Sequence, residues 1–392
     1  MDIQSQTVGY RISKALRYVQ LYGVDRTLVK MRSHSHMRRA YELLPQIAPQ
    51  FRRAPHVGVI GCGKYAFAVI CYFLKKRWGR IIHGAMDINI NRAASLFQQY
   101  KLNYYTDSPN RILEDPQVDL VFVSSNHASH AGYAVRAIRA GKHVHIEKPH
   151  VVDRSQLLDL CRAMNDSNRS RVRLGFNRPL SPIARTVLSA LKSQSGPASM
   201  NWYVTGHSLE EDHWYLNPGE GGRVLGNLCH WIEFVYQAVP PEHRFPIDIF
   251  PIPPDLKSKD LSVILRFGDG SVASLVFTEK GASSEGVRER FSASKGQAIV
   301  TIDDFKSATV DVGFRKTRIS HWHRELGHRE LIESSYEMAR NPDTLSSPAS
   351  VAYVWEVGEL CLKVRDAIES GIANRMEPFD PSVLRSEKTL GE

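Results

Sequence analysis

Cysteine is scarce and unpatterned in this 392-residue chain: Cys62, Cys71, Cys161, Cys229 and Cys361 are odd in number and form no C-x-x-C pair. That usage excludes a disulfide framework and a zinc knuckle, and points to reduced thiols in the cytoplasm. Long apolar runs are lacking too. The longest, Ala66 to Leu74, falls short of the roughly 20 residues that span a bilayer. The opening MDIQSQTVGYRISK holds no apolar stretch before a small-residue cleavage site, so nothing here predicts secretion. There is no internal repeat and no low-complexity tract, and no base-reading or stacking signature points to nucleic acid. At 42% hydrophobic and 23% charged residues, wholesale disorder is excluded, and the length suits two domains.

Positive charge is concentrated at one end. Residues 1–54 carry ten Lys/Arg against three acids, leaving only +3 of the total +10 for the other 338 residues. Any anionic partner therefore belongs to this extension. Ile12, Leu16 and Val19 recur at helical spacing within 10–22, and a second basic helix is expected around 36–44, followed by a proline- and arginine-rich linker, APQFRRAP. The extension can dock on its own body, a sister subunit, a partner or an anionic surface.

From Pro55 the pattern alternates between strands and helices. His56–Ile60, Arg80–Met86, Leu120–Ser124, His143–Ile146 and Arg173–Phe176 read as strands. Helices are expected over Tyr65–Lys76, Arg92–Tyr100 and Ala131–Ala140. Such spacing predicts right-handed crossovers and a doubly wound parallel sheet, an α/β Rossmann domain over 55–177. The second half places strands at Ser199–Thr205, Leu261–Phe267, Val272–Phe277, Arg288–Ser294 and Ala298–Ile302, several in succession. Asp269-Gly270 marks a hairpin. Helices are expected over Leu180–Ser193, Val224–Gln237, Arg324–Ala339 and Ser350–Glu369. This describes an α+β domain over 178–345 with a large, mostly antiparallel open sheet, and a helix and tail over 346–392.

GCGKYA, residues 61–66, follows the first strand directly. In a dinucleotide fold, Gly61 makes the tight turn, Gly63 lets a pyrophosphate approach the backbone, and Ala66 permits close helix packing. The helix N-terminus then offers free N–H groups to the phosphates. Asp87 ends the second strand, 26 residues after Gly61. A carboxylate there accepts ribose hydroxyls and repels a 2′-phosphate, favouring NAD over NADP. Its alternative is to cap the following helix, and Arg92 nearby is the feature that would suit NADP instead.

AGKHVHIEKP (140–149) is a strand ending in Glu147-Lys148-Pro149, where ligands of open parallel sheets bind. With GCGKYA and Ser125-Asn126-His127-Ala128-Ser129-His130 in this order, residues 55–375 resemble the Gfo/Idh/MocA family, NAD(P)-dependent enzymes acting mostly on sugars and cyclitols. LGFNRPLSP, DHWYLNP, GGRVLGNLCHWIE and GHRE are similar to a subgroup sometimes fused behind a zinc-type alcohol dehydrogenase module and linked to polysaccharide or nucleotide-sugar metabolism. The resemblance implies cofactor contacts from Gly61, Cys62, Gly63, Lys64, Tyr65, Asp87, Ser125, Asn126, His130, Glu147 and Lys148. It also implies a catalytic Lys148 and subunit interfaces on the open sheet, hence a homo-oligomer.

The same resemblance matches His230 to a catalytic histidine that follows an aspartate by four residues. Here that position is Gly226, so the acid is missing; Asn227 and Glu233 share the helical face of His230. Arg178 can pair with a substrate carboxylate or phosphate, or with a structural acid. His213 and Trp214 stand in a loop near the expected cleft, for sugar stacking or ordinary packing. His143 and His145 read as structural. His321 and His323 find no third ligand, so no metal is expected.

The function expected is hydride transfer between a nicotinamide and a secondary alcohol of a sugar, nucleotide sugar or cyclitol. Lys148 and His230 divide the tasks of orienting the oxygen and moving its proton, and burial together with the cofactor's charge is expected to lower the Lys148 pKa. The rivals are a non-catalytic NAD-binding sensor or assembly subunit, and a lyase or hydrolase that regenerates NAD in each cycle.

Overall fold

A computed structural model describes residues 8–47, 56–210, 212–252, 260–282, 284–341 and 348–385. The strands β1 (Val57–Ile60), β2 (Ile82–Met86), β3 (Tyr104–Thr106), β4 (Leu120–Val123), β5 (His143–Ile146) and β6 (Val172–Leu174) form one sheet ordered β3-β2-β1-β4-β5-β6. All its pairings are parallel. Helices cover both faces, which is why these strands read as unbroken apolar runs rather than alternating ones. The order reverses between β1 and β4, the switch point beside which ligands of such sheets bind.

The second sheet contains β7 (Ala198–Thr205), β8 (Ile247–Ile252), β9 (Leu261–Arg266), β10 (Val272–Thr278), β11 (Arg288–Lys295), β12 (Ala298–Asp303), β13 (Ser307–Val312), β14 (Arg315–Ser320) and β15 (Asn374–Met376). Their order is β14-β13-β12-β11-β7-β10-β9-β8-β15. Every pairing is antiparallel except the central β7 and β10, which run parallel. Along β7 buried and exposed residues alternate, so one face meets the core and the other stays open. The helix Val351–Ser370 packs against Arg154–Asn165 of the first layer and against β8 and β15 of the second, joining both halves through one core.

The second helix of the extension is Val24–Met37, not 36–44. Its buried face is Thr27, Ser33 and His36, polar residues that leave no apolar periodicity to read. Gly23, at φ 84°, separates it from Val8–Tyr22. These helices lie on the chain's own body: Arg17 forms a two-pronged ion pair with Glu285 (2.8 Å each), and Arg324 N–H donates to the Leu21 carbonyl. The linker expected at 48–55 lies outside the described residues. Among the described residues no helix is long and apolar enough to cross a membrane, and all five cysteines are buried and unpaired.

Candidate functional site

The glycine turn is shaped by close approach. At Gly61 (φ 89°) a Cβ would lie 2.4 Å from the Ser125 nitrogen, so only glycine allows the β1 and β4 loops to meet. Gly63 is the opposite: a Cβ there meets nothing within 4 Å, because the turn opens onto free space. The Asp87 carboxylate accepts N–H bonds from Cys62 (2.8 Å) and Asn89 (2.9 Å), which lock it beside the turn while leaving each oxygen a lone pair. Burial, with Lys30 and Arg38 nearby, holds the Lys64 amine below its usual pKa. An open turn, a helix start and a fixed carboxylate suit a dinucleotide, with phosphates on the turn and ribose hydroxyls on Asp87.

The wall after β4 is fastened from the second half of the chain. Glu220 accepts from Asn126 Nδ2 (2.5 Å) and from Ala128 N–H (3.0 Å), and its carbonyl lies 2.9 Å from His127 Nδ1. Ser125 and Ser129 hydroxyls share a 2.6 Å bond. His130 sits between the carbonyl oxygens of Pro149 (2.8 Å) and Ser125 (3.1 Å), tying the β4 loop to the β5 loop from a fully buried position. The Glu147 carboxylate turns inward to His145 (2.9 Å) and Tyr65.

Lys148 leaves the end of β5 and reaches across to the second half. Its Nζ donates to the Gly226 carbonyl (2.6 Å) and to the Tyr215 hydroxyl (3.1 Å), and that hydroxyl donates to the same carbonyl (2.7 Å). Burial pulls the Lys148 pKa down, as expected, but the combined influence of Tyr215, Cys229 and Glu147 outweighs it and the net displacement is upward. Burial alone therefore does not make this amine a base in the ligand-free chain. His230 stands on the same helical segment as Gly226 with its Nδ1 buried and without a hydrogen-bond partner. Burial, with Arg178, Lys148 and His328 nearby, holds its imidazole well below the usual value. The neutral imidazole is the favoured form there.

Other residues singled out in the sequence are otherwise engaged. Arg178 is buried and forms a two-pronged pair with Glu289 (2.9 and 3.2 Å), which also accepts from Trp231; its guanidinium supports the fold rather than offering itself to a ligand. Asn227 accepts from Arg223 (3.2 Å). His213 accepts the Tyr215 N–H (3.3 Å), and Trp214, 45% exposed, lies edge-on to His127, so both shape the loop that carries Tyr215. His321 and His323 fall in an irregular loop, His323 against the extension at Gln20. No group of three or more potential metal ligands clusters among the described residues.

Two important residues escaped the sequence reading, Tyr215 and Glu220. Both lie in short 3₁₀ turns, where no periodicity announces which side chains face the cleft. The neighbouring signal was DHWYLNP itself, read only through His213 and Trp214.

Residues 56–176 match the model of an oxidoreductase family with an NAD-binding Rossmann fold, Gfo/Idh/MocA. An inositol 2-dehydrogenase of Pseudomonas syringae pv. syringae is 32% identical over 139 residues, covering 35% of this chain and 41% of that protein. A myo-inositol 2-dehydrogenase of Thermotoga maritima is 29% identical over 31% of this chain and 36% of its own. The chain thus spans about two-fifths of the curated relatives it matches. A levoglucosan dehydrogenase solved with NADH and L-sorbose superposes with a TM-score of 0.70 at 15% identity, covering 83% of this chain and 99% of that one, a likeness of fold.

Proposed function

We propose that the whole chain, whose residues 56–176 match the Gfo/Idh/MocA family model, is an NAD-dependent dehydrogenase of a sugar, nucleotide-sugar or cyclitol secondary alcohol. The observation that carries this reading is that Lys148, just past the end of β5, is bonded to the Gly226 carbonyl, one helical turn before His230, whose buried Nδ1 has no partner. Bound NAD supplies the hydride acceptor.

In this reading Lys148 is the oxygen-orienting group. Two of its three N–H bonds are spent on Gly226 and Tyr215, and the third is free for a carbinol oxygen. His230 is the group that takes the hydroxyl proton, since its buried Nδ1 has no hydrogen-bond partner in the protein. As the carbinol carbon gives up its hydride, negative charge on the oxygen is stabilised by Lys148 while its proton goes to His230. Asp87 holds the adenosine ribose, and its charge selects NAD over NADP. Glu220 keeps the Asn126–Ala128 wall in place.

The open face of β7 and β12, where Tyr203 and Ile299 are exposed, is the surface assigned to self-association, checked by light scattering. Five unpaired thiols support the reducing compartment inferred from cysteine usage.

The test combines NAD calorimetry with a screen of polyols, sugars and nucleotide sugars for NADH fluorescence. Uptake of NAD with reduction by one substrate class is expected. Tight NAD uptake with silence across the panel would transfer the chain to the sensor reading.

A further inference from the structure

Position 226 is closed to side chains by Tyr215. A Cβ on Gly226 would lie 2.1 Å from Cε1 of Tyr215, so the phenol ring occupies the volume that any side chain at 226 would enter. The ring is set there by its own loop. The Tyr215 N–H is held by His213, and its ring packs edge-on against His127 (4.6 Å) and Trp214 (4.8 Å). Its hydroxyl proton goes to the Gly226 carbonyl (2.7 Å), which leaves the phenolic oxygen as an acceptor for the Lys148 ammonium (3.1 Å). Among the described residues no carboxylate makes a hydrogen bond to Lys148.

We propose that Tyr215 is the positioning residue of Lys148. Its ring fills the volume beside Gly226, and its hydroxyl oxygen is the side-chain acceptor that holds the amine. The assignment rests on the dehydrogenase reading for its consequence in turnover, but not for the pairing itself. It makes an aromatic ring at 215 and a side chain at 226 mutually exclusive. It also fixes the direction of the third Lys148 N–H, because two acceptors on one side of the ammonium leave the remaining proton to point away from them.

The experiment uses the full chain and two readouts. Acetylation of Lys148 by acetic anhydride at fixed mildly alkaline pH, followed by mass spectrometry with the other lysines as internal references, reports its free-amine fraction. Tyr215→Phe keeps the ring and removes the acceptor. The Lys148 acetylation rate is expected to rise about tenfold, the effect of losing one hydrogen bond to a charged group. In turnover, Tyr215→Phe is expected to lower kcat about ten- to a hundredfold while KM changes little and NAD affinity stays put.

Gly226→Asp alone is expected to be defective because Tyr215 blocks it. Tyr215→Ala with Gly226→Asp is expected to recover both slow acetylation and turnover relative to Tyr215→Ala. An unchanged Lys148 acetylation rate in Tyr215→Phe overturns the pairing, even if the wild-type chain oxidises polyols. A tenfold faster rate in a chain that oxidises nothing sustains the pairing and removes the dehydrogenase reading instead.

Discussion

Glu220 and Asn126 come from different halves of the chain, yet the carboxylate of one grips the amide of the other at 2.5 Å and also holds the Ala128 N–H at 3.0 Å. The wall over the candidate cofactor site is therefore held from the second half of the chain. Glu220→Ala leaves two donors without their acceptor. Calorimetry should show NAD affinity weakened about five- to thirtyfold, equivalent to about 1–2 kcal/mol. Affinity equal to wild type would mean that the wall stands without Glu220.

Lys148→Ala removes the proposed oxygen-orienting group and leaves the glycine turn and Asp87 intact. Turnover should fall by at least about a thousandfold, with NAD affinity within about twofold of wild type. Undiminished turnover would remove Lys148 from the chemistry.

Because burial holds His230 below its ordinary value, alcohol oxidation should show no acid limb near pH 6.5, roughly where an unperturbed imidazole titrates. The check is kcat/KM across mildly acid to neutral pH, with His230→Gln as control. An inflection near that value that vanishes in His230→Gln would show an ordinary titrating base.

Glu233 is fully buried and its carboxyl, bonded to Tyr353 at 2.7 Å, is raised by desolvation to about 7. The native state then keeps a proton that the unfolded chain loses near its usual pKa of about 4.3, so native stability falls as pH rises between those values. Glu233→Gln should flatten this slope and stabilise the chain at pH above about 7, by up to about 3 kcal/mol. Parallel wild-type and variant melting curves against pH would contradict this.

Arg178 and Glu289 form a buried pair, so removing one charge strands the other. Arg178→Met should cost about 3–5 kcal/mol, while Arg178→Met with Glu289→Leu should recover much of it. A variant with unchanged melting but a raised substrate KM would return Arg178 to ligand binding.

The comparison of sequence with structure follows the same physics. The parallel sheet was legible because strands buried on both faces, such as Leu120–Val123, write themselves as apolar runs. The edge strand Arg315–Ser320 was not, since nearly all of it is exposed and half of it is charged. The helix Val24–Met37 hid behind a polar buried face. At the site, the glycine turn, Asp87, Lys148 and His230 were visible as motifs. Partners set by tertiary geometry were not: Glu289 stands 111 residues from Arg178, and Tyr215 stands 67 from Lys148.

The most direct measurement follows the hydride itself. A polyol or sugar from the productive class, deuterated at the carbinol carbon, is incubated with NAD and the protein, and the nicotinamide is examined by mass spectrometry and NMR. Deuterium at C4 of NADH, formed by wild type and nearly abolished in Lys148→Ala, is the expected result. Retention of the label in the alcohol by a wild-type chain saturated with NAD would contradict the account.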